Sequence, residues 1–271
     1  MDLPDLENLR IADNGRVFVS GQQNLYEITR DGSGAYSATA LLGAGSGCSG
    51  MAFNGGTLYA LCPGQSDPTD LAGLFALDVA TPGATPQQVY SLAGMSLPNG
   101  MAWDEVGGYL YVTDGPIAAE PKIVRLKVDA ADPRHIVSQE TWLALLPQYP
   151  NGLALRGRSL YTTLYQPGSG GTVARVDIQA DGTPAAPVAI YAGGIMDDLS
   201  VAGDTLLVTD WQGGAIFQIG LDGTLLQTTD PLSFSQPSTV ELASGPLFAP
   251  GDVLVTERYT GRGLWVFSPA R

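Results

Sequence analysis

The sequence predicts an all-β protein, and specifically a six-bladed β-propeller that occupies residues 1–271 as a single domain. Three observations carry this prediction. Glycine (35 residues) and proline (19) are abundant while charged residues make up only 15% of the chain, a composition typical of many short strands joined by tight turns. No convincing helical period competes with the strand pattern. Finally, one two-stranded motif recurs six times, at steps of 41 to 52 residues.

Each repeat opens with a polar residue, continues as a short apolar strand, turns, and returns as a second strand. The opening residues are Glu7, Ser49, Asn99, Asn151, Asp197 and Ser238. A third strand follows in every repeat, for example NLYEITRDG or AIFQIGLDG, and several lead through a turn into a fourth, such as TWLAL or VAIY. A period in the forties with about four strands per repeat is typical of propeller blades.

The sixth repeat ends after its third strand, at Arg271. Either the sixth blade has three strands, or residues preceding Met1 supply a fourth. We hypothesise that the N-terminus has been trimmed of a signal or an anchor. The chain as given opens MDLPDLENLR, which lacks the basic and apolar regions of a signal peptide.

The formal charge of −14 argues against binding a nucleic-acid backbone, which requires lysine and arginine. It fits a soluble protein, or one that attracts cations. No apolar run approaches the roughly 20 residues of a membrane span, so no transmembrane segment is expected. The expected partner is a small molecule, and the expected state is a monomer or weak dimer.

The two cysteines flank the turn at 54–56, so a hairpin folded there places Cys48 and Cys62 opposite each other to within one residue. Directly opposed strand residues approach closely enough for a disulfide in the right pair type. We therefore predict a disulfide, which implies an oxidising compartment, periplasmic or secreted. The alternative is two reduced cysteines in a cytoplasmic protein.

The propeller fold places the opening residues of the six repeats at equivalent positions in the six blades. The first strand of a propeller blade is innermost, so equivalent positions form a ring around the central channel. All six ring residues carry oxygen and none is basic. Burying such groups without partners costs about 2–7 kcal/mol each, and calcium accepts oxygen ligands of these types. The ring therefore predicts a Ca²⁺ site, with other divalent cations as alternatives, formed by Glu7, Asn99, Asn151 and Asp197. A water-filled channel is the competing interpretation.

Asp198 adjoins Asp197, and successive strand residues point to opposite faces. At the start of a strand both side chains can still reach one ion. Asp198 is thus a fifth metal ligand, a group behind the ligands, or a surface turn residue.

The segments PNGMAWD…YLYVTD and PNGLAL…SLYTT, with the Glu/Asn/Asn/Asp series, resemble the SMP-30/gluconolactonase family. The wider superfamily includes paraoxonases, diisopropyl-fluorophosphatase and strictosidine synthase. The resemblance implies one catalytic calcium on Glu7, Asn99, Asn151 and Asp197, and hydrolysis of lactones or, in some members, organophosphates. The run MDDLSV resembles the paraoxonase form of the last motif, which adds Asp198 as a candidate ligand.

The resemblance also suggests catalytic roles. Calcium would polarise a lactone carbonyl, and a carboxylate would activate water. Asp197 is our candidate base, with Asp198 second. The loops after the second strands lie on the metal side. The candidate substrate pocket comprises Tyr165, Trp211, Ser49 and Ser238, and the long loop 63–73 is a candidate lid.

Two other functions remain open, because a fold does not fix a function. One is a non-enzymatic propeller that binds calcium together with a ligand or protein. The other is a lyase, isomerase or condensing enzyme on the same scaffold. The single histidine, His135, falls between outer strands and is expected at the surface.

Overall fold

The computed structural model describes residues 3–43, 46–62, 73–115, 120–144, 146, 148–259 and 263–268. Its regular structure over these ranges is β-strand throughout. The strands form six separate antiparallel sheets, which confirms the predicted six-bladed β-propeller. The candidate lid lies outside the described residues except for Gly73. No helix in the described ranges is long and apolar enough to cross a membrane.

The first three blades have four strands each, in consecutive order from the innermost outward. Blade one comprises β1 (Leu6–Ile11), β2 (Val17–Gly21), β3 (Leu25–Arg30) and β4 (Tyr36–Ala40). Blade two comprises β5 (Met51–Asn54), β6 (Thr57–Cys62), β7 (Gly73–Asp78) and β8 (Gln87–Ser91). Blade three comprises β9 (Pro98–Asp104), β10 (Tyr109–Asp114), β11 (Lys122–Val128) and β12 (Ile136–Leu143).

The last three blades follow the same order, but the sixth has three strands in the described part of the chain. Blade four comprises β13 (Tyr149–Arg156), β14 (Ser159–Gln166), β15 (Gly170–Asp177) and β16 (Val188–Gly193). Blade five comprises β17 (Met196–Ala202), β18 (Thr205–Asp210), β19 (Ala215–Gly220) and β20 (Leu225–Thr228). Blade six comprises β21 (Pro237–Leu242), β22 (Val253–Glu257) and β23 (Leu264–Phe267).

The first strands of the blades surround a central channel. Each contacts the first strand of the next blade, and β21 of blade six returns to β1 of blade one, which closes the circle.

The core lies between the blades. Each of the six interfaces holds its own cluster of buried apolar side chains. Burial of these sheet faces, at about 25 cal/mol per Å² of apolar area, holds the blades together around the channel.

The ring residues lie at irregularities in the innermost strands. In five blades the pairing of the first strand with the second shifts across the ring residue and the residue after it. A bulge of this kind redirects side chains and interrupts the ladder of backbone hydrogen bonds. Two consecutive residues can therefore both face the channel, at different depths.

The interrupted ladder is repaired by a hydroxyl from the second strand. In blade three, Thr113 Oγ1 accepts the Gly100 N–H at 2.7 Å and donates to the Asn151 carbonyl of the next blade at 2.6 Å. The same double contact recurs in blades one, four, five and six. We call this set the hydroxyl collar: Ser20, Thr113, Thr163, Thr209 and Thr256.

Blade two has Leu61 at the collar position, and there the Gly50 N–H donates directly to the Asn99 carbonyl at 2.8 Å. The collar and this direct bond link all six blades in a circle. Since each acceptor is the carbonyl of a ring residue, the circle also fixes the backbone that carries the ring side chains. Buried polar groups with partners on both sides resist displacement.

The predicted disulfide is present between Cys48 and Cys62, whose Cα atoms are 4.0 Å apart. It ties the segment entering Ser49 to the end of the second strand. In blade three the corresponding tie is a carboxylate: Asp114 Oδ1 accepts the backbone N–H groups of Ser96 and Leu97, at 3.0 and 2.7 Å. The disulfide thus fixes the segment that leads into Ser49. In blade three the hydrogen bonds to Asp114 fix the corresponding segment.

Replacing both cysteines by alanine is expected to lower the free energy of unfolding by about 2–4 kcal/mol, because the closed loop is no longer constrained in the unfolded chain. Urea denaturation at a fixed m-value measures the loss. Wild-type protein treated with reductant should match the double variant. An unchanged denaturation midpoint in both samples would show that the cross-link adds nothing to stability.

Candidate functional site

A cavity of about 450 Å³ opens at one mouth of the channel, and most of the predicted ring lines it. Five of the six ring residues line it: Glu7, Ser49, Asn99, Asn151 and Asp197. The remaining wall comes from the chain around the starts of the first strands and the ends of the second strands, including Gln22, Leu97, Pro98, Tyr165, Pro167, Ile195, Trp211, Arg258 and Tyr259. The antiparallel blade geometry brings both kinds of segment to the same end.

Asp197 is one of the two buried carboxylates of this mouth, beside Glu7. Its Oδ1 accepts a hydrogen bond from the amide of Asn151, and its Oδ2 accepts one from Ser238 Oγ at 2.6 Å. Burial raises the pKa of Asp197 to about 7, opposed by the bond from Ser238 and reinforced by the neighbouring Asp198 charge. A carboxylate tuned close to neutral pH can both accept and return a proton.

Asp198 lies one layer deeper, because the bulge turns it down the channel. Its Oδ2 accepts hydrogen bonds from Asn8 Nδ2 and Thr239 Oγ1, both at 2.6 Å. Arg10 approaches the same oxygen at 4.0 Å, and burial raises the pKa of Asp198. Asp198 is buried, which excludes the surface-turn interpretation, and it is absent from the cavity wall.

The four candidate pocket residues divide in two groups. Tyr165, Trp211 and Ser49 line the cavity. Ser238 differs from the expectation: it is fully buried behind Asp197, to which its hydroxyl donates. Ser238 therefore orients the carboxylate and does not form part of the wall.

Arg258 is a wall residue at the start of a loop on the metal side, and the candidate pocket did not include it. Its guanidinium forms an ion pair with Glu7 through Nη1, and its Nε donates to Asp5 Oδ1 at 2.9 Å. The side chain lies over the ring of Tyr259, 4.9 Å from its centroid. The six motif positions contain no basic residue, as predicted. Arg258 instead reaches the ring from the loop after the second strand of blade six.

The donor set suits a hard cation. In the described residues no group of three or more His, Cys, Asp and Glu side chains comes together, so a cation here depends on amide oxygens as well as carboxylates. The cavity presents Glu7, Asn99, Asn151 and Asp197, and all four carry oxygen donors. Asn99 makes no side-chain hydrogen bond with the described residues, which leaves its amide oxygen available. Calcium prefers such an oxygen-only, mixed carboxylate and amide environment.

The single histidine lies away from the cavity. The His135 side chain is 63% exposed and pairs with Asp129 at 3.1 Å. As expected from the sequence, it is a surface residue.

The fold and the oxygen-lined channel mouth define the class of protein: a six-bladed β-propeller with a polar cavity at one end. No protein-family model matches the sequence. No curated protein is significantly similar to it.

Solved structures share the fold at low sequence identity. A gluconolactonase from Xanthomonas campestris matches with a TM-score of 0.71 and 18% identity, over 98% of this chain and 86% of that one. Regucalcin from Agrobacterium tumefaciens, a calcium-binding protein, matches with a TM-score of 0.68 and 17% identity, over 96% and 84%. A luciferin-regenerating enzyme matches with a TM-score of 0.72 and 13% identity, over 99% and 92%. At these identities the likeness shows the fold alone.

Proposed function

We propose that the protein is a calcium-dependent hydrolase of the SMP-30/gluconolactonase type that opens lactones or related esters. The observation that carries this proposal is the buried carboxylate of Asp197 on the wall of a cavity where the ring residues supply only oxygen ligands. The propeller fold shared with a gluconolactonase and with regucalcin supports it.

In this proposal Glu7, Asn99, Asn151 and Asp197 hold the cation, and Asp198 supports the ring from below. A bound calcium supplies Lewis acidity, which stabilises negative charge on the carbonyl oxygen. Asp197 takes a proton from water as the water oxygen bonds to the carbonyl carbon. The ring C–O bond then breaks, and Asp197 returns the proton to the departing alkoxide, which yields a hydroxy acid.

The neighbours of Asp197 prepare it for this role. Ser238 and Asn151 each donate to one of its oxygens, so the carboxylate cannot rotate freely. Tyr165 and Trp211 give the cavity apolar walls that exclude water from the substrate. Such preorganisation lowers the cost of reaching the transition state. The disulfide is compatible with a periplasmic or secreted protein, and we include that location in the proposal.

A second function is favoured by one contact. Arg258 forms an ion pair with Glu7, and a carboxylate balanced by the protein's own arginine suits a propeller that binds a ligand without catalysis. The two proposals differ in turnover: only the hydrolase consumes a lactone.

Purified protein is expected to hydrolyse members of a panel of γ- and δ-lactones with added calcium, and to lose this activity in EDTA, because removal of the cation takes away the group that stabilises the oxyanion. A pH-indicator assay follows acid release. Readdition of calcium should restore the rate.

His135→Ala serves as a matched control and should keep the wild-type rate, since His135 lies on the surface. Absence of turnover on any lactone, ester or phosphotriester by calcium-bound protein would refute the hydrolase and leave the binding propeller.

A further inference from the structure

Arg258 is the one basic residue among the described residues that line the cavity. The chain has only 13 lysines and arginines against 27 acidic residues, so a guanidinium placed in this mouth calls for an explanation. Its side chain is 13% exposed, which makes it reachable from the cavity and at the same time well ordered by its surroundings.

The backbone around Arg258 is unusual. Four non-glycine residues in the described part of the chain have positive φ, and three of them contact Arg258 or adjoin it: Asp5 (59°), Gln236 (57°) and Tyr259 (52°). Such left-handed conformations are costly for residues with a side chain and gather at functional sites. Three strained residues from three separate segments meet at one arginine.

Each strained residue has a defined part in holding Arg258. The Gln236 carbonyl accepts the Arg258 backbone N–H at 3.0 Å. Asp5 Oδ1 accepts both Arg258 Nε, at 2.9 Å, and the Tyr259 backbone N–H, at 3.1 Å. The Tyr259 ring lies under the guanidinium and meets Trp211 edge-on, with the ring centroids 6.2 Å apart. The guanidinium is therefore fixed at one edge and on one face.

One nitrogen of the Arg258 guanidinium has no hydrogen-bond acceptor among the described residues. Nε donates to Asp5 and Nη1 is paired with Glu7, whereas Nη2 donates no hydrogen bond to the described residues. Arginine offers five N–H donors in a planar fork that matches a carboxylate. The hydrogen bond to Asp5 and the ion pair with Glu7 place this guanidinium beside carboxylate oxygens.

We infer that Arg258 binds an anionic group of the substrate, and that the preferred substrates of this cavity are lactones or esters that carry a carboxylate. The expected preference in catalysis rests on the proposed hydrolase, whereas the binding of an anion to Arg258 does not. Asp5, Glu7 and Asp197 together outweigh one guanidinium charge, so the anion binds with the divalent cation in place, which offsets these carboxylates.

The kinetic test compares γ-butyrolactone with its γ-carboxylate, in excess calcium. The wild type should show a kcat/KM for the carboxylated lactone at least about tenfold above that for the neutral lactone. In Arg258→Met the two kcat/KM values should become equal, because one charged hydrogen bond is worth about that factor. Arg258→Lys, which keeps the charge but loses the fork, should give an intermediate ratio. Arg156→Met is the matched control: Arg156 is exposed, pairs with Asp204 and ends its strand at the far side, so its ratio should equal the wild type's.

An unchanged ratio in an active Arg258→Met variant would overturn the inference. If the wild type hydrolyses neither lactone, the proposed hydrolase fails and binding decides the inference alone. Isothermal titration calorimetry with tetrahydrofuran-2-carboxylate, in excess calcium, should then show saturable binding that weakens about tenfold or more in Arg258→Met. Equal affinity in the two proteins, or no binding to the wild type, would refute a role for Arg258 in anion recognition.

Discussion

Asp197→Asn is expected to lower kcat/KM for lactone hydrolysis by about 10³-fold, whereas Asp198→Asn should lower it far less. The amide keeps the size of the carboxylate but cannot accept a proton from water, and loss of a positioned general base typically costs about 10²–10⁴ in rate. Steady-state kinetics at saturating calcium measure both variants against the wild type.

The difference between the two aspartates follows from their depth. Asp197 lies on the cavity wall, and Asp198 lies beneath it with Asn8 and Thr239 as partners. Loss of the Asp198 charge disturbs a buried network near Arg10, so its main effect should be on stability. Thermal denaturation of both variants separates this effect from catalysis.

Asp204→Asn provides the matched control, because the Asp204 side chain is 89% exposed and its partner Arg156 is itself exposed. This variant should keep the wild-type kcat/KM. Calorimetric titration with calcium shows whether Asp197→Asn still binds the cation. Equal losses in the two channel aspartates, or a larger loss in Asp198→Asn, would remove Asp197 as the base and move the reacting group deeper into the channel.

The fold could be predicted because its information is local and repeated. Each motif contains its own strand pattern and turn, and the approximate symmetry of a propeller converts six such motifs into one ring. The same logic located Glu7, Asn99, Asn151 and Asp197 at one cavity, since equivalent positions in equivalent blades reach the same depth. The disulfide followed from a single hairpin, where the register of two strands decides which residues face each other.

The contacts that the sequence did not reveal depend on distant segments or on local irregularity. Arg258 acquires its position from Asp5, 253 residues away along the chain, and no local pattern links the two. The different depths of Asp197 and Asp198 depend on the bulge in β17, which a regular alternation of side chains does not include. Ser238 is a ring residue by its position, yet its hydroxyl turns to Asp197 and away from the cavity.

The hydroxyl collar had a sequence signal that could have been recognised. A serine or threonine stands near the end of an otherwise apolar second strand in five blades, as in FVSG, YVTD and LVTE. Buried hydroxyls need partners, and the recurrence at one position indicates a common partner. The bulge that supplies it becomes visible only once the strands are paired.

Gly100→Ala is expected to lower the free energy of unfolding by about 3 kcal/mol or more, the upper part of the range for steric overpacking. A Cβ at this position would lie 2.2 Å from the Asn151 carbonyl oxygen and within 3 Å of two further backbone atoms of blade four. Backbone held by the collar cannot yield as a flexible side chain would. Urea denaturation at a fixed m-value measures the loss. Gly56→Ala is the control, because no atom lies within 4 Å of its Cβ, and it should change stability by at most about 1 kcal/mol.

The same variant tests how the ring is built. Gly50 and Gly152 show close approaches of 2.1 and 2.3 Å to the next blade, so three consecutive blades need glycine directly after the ring residue. An Asn-Gly pair usually marks a turn, but in Asn99-Gly100 the asparagine faces the cavity and the glycine lets two blades meet. Gly100→Ala should therefore displace both Asn99 and Asn151 and weaken calcium binding, measured by calorimetry, together with stability. A variant that unfolds at the wild-type midpoint and binds calcium normally would show that neighbouring blades adjust independently of the ring.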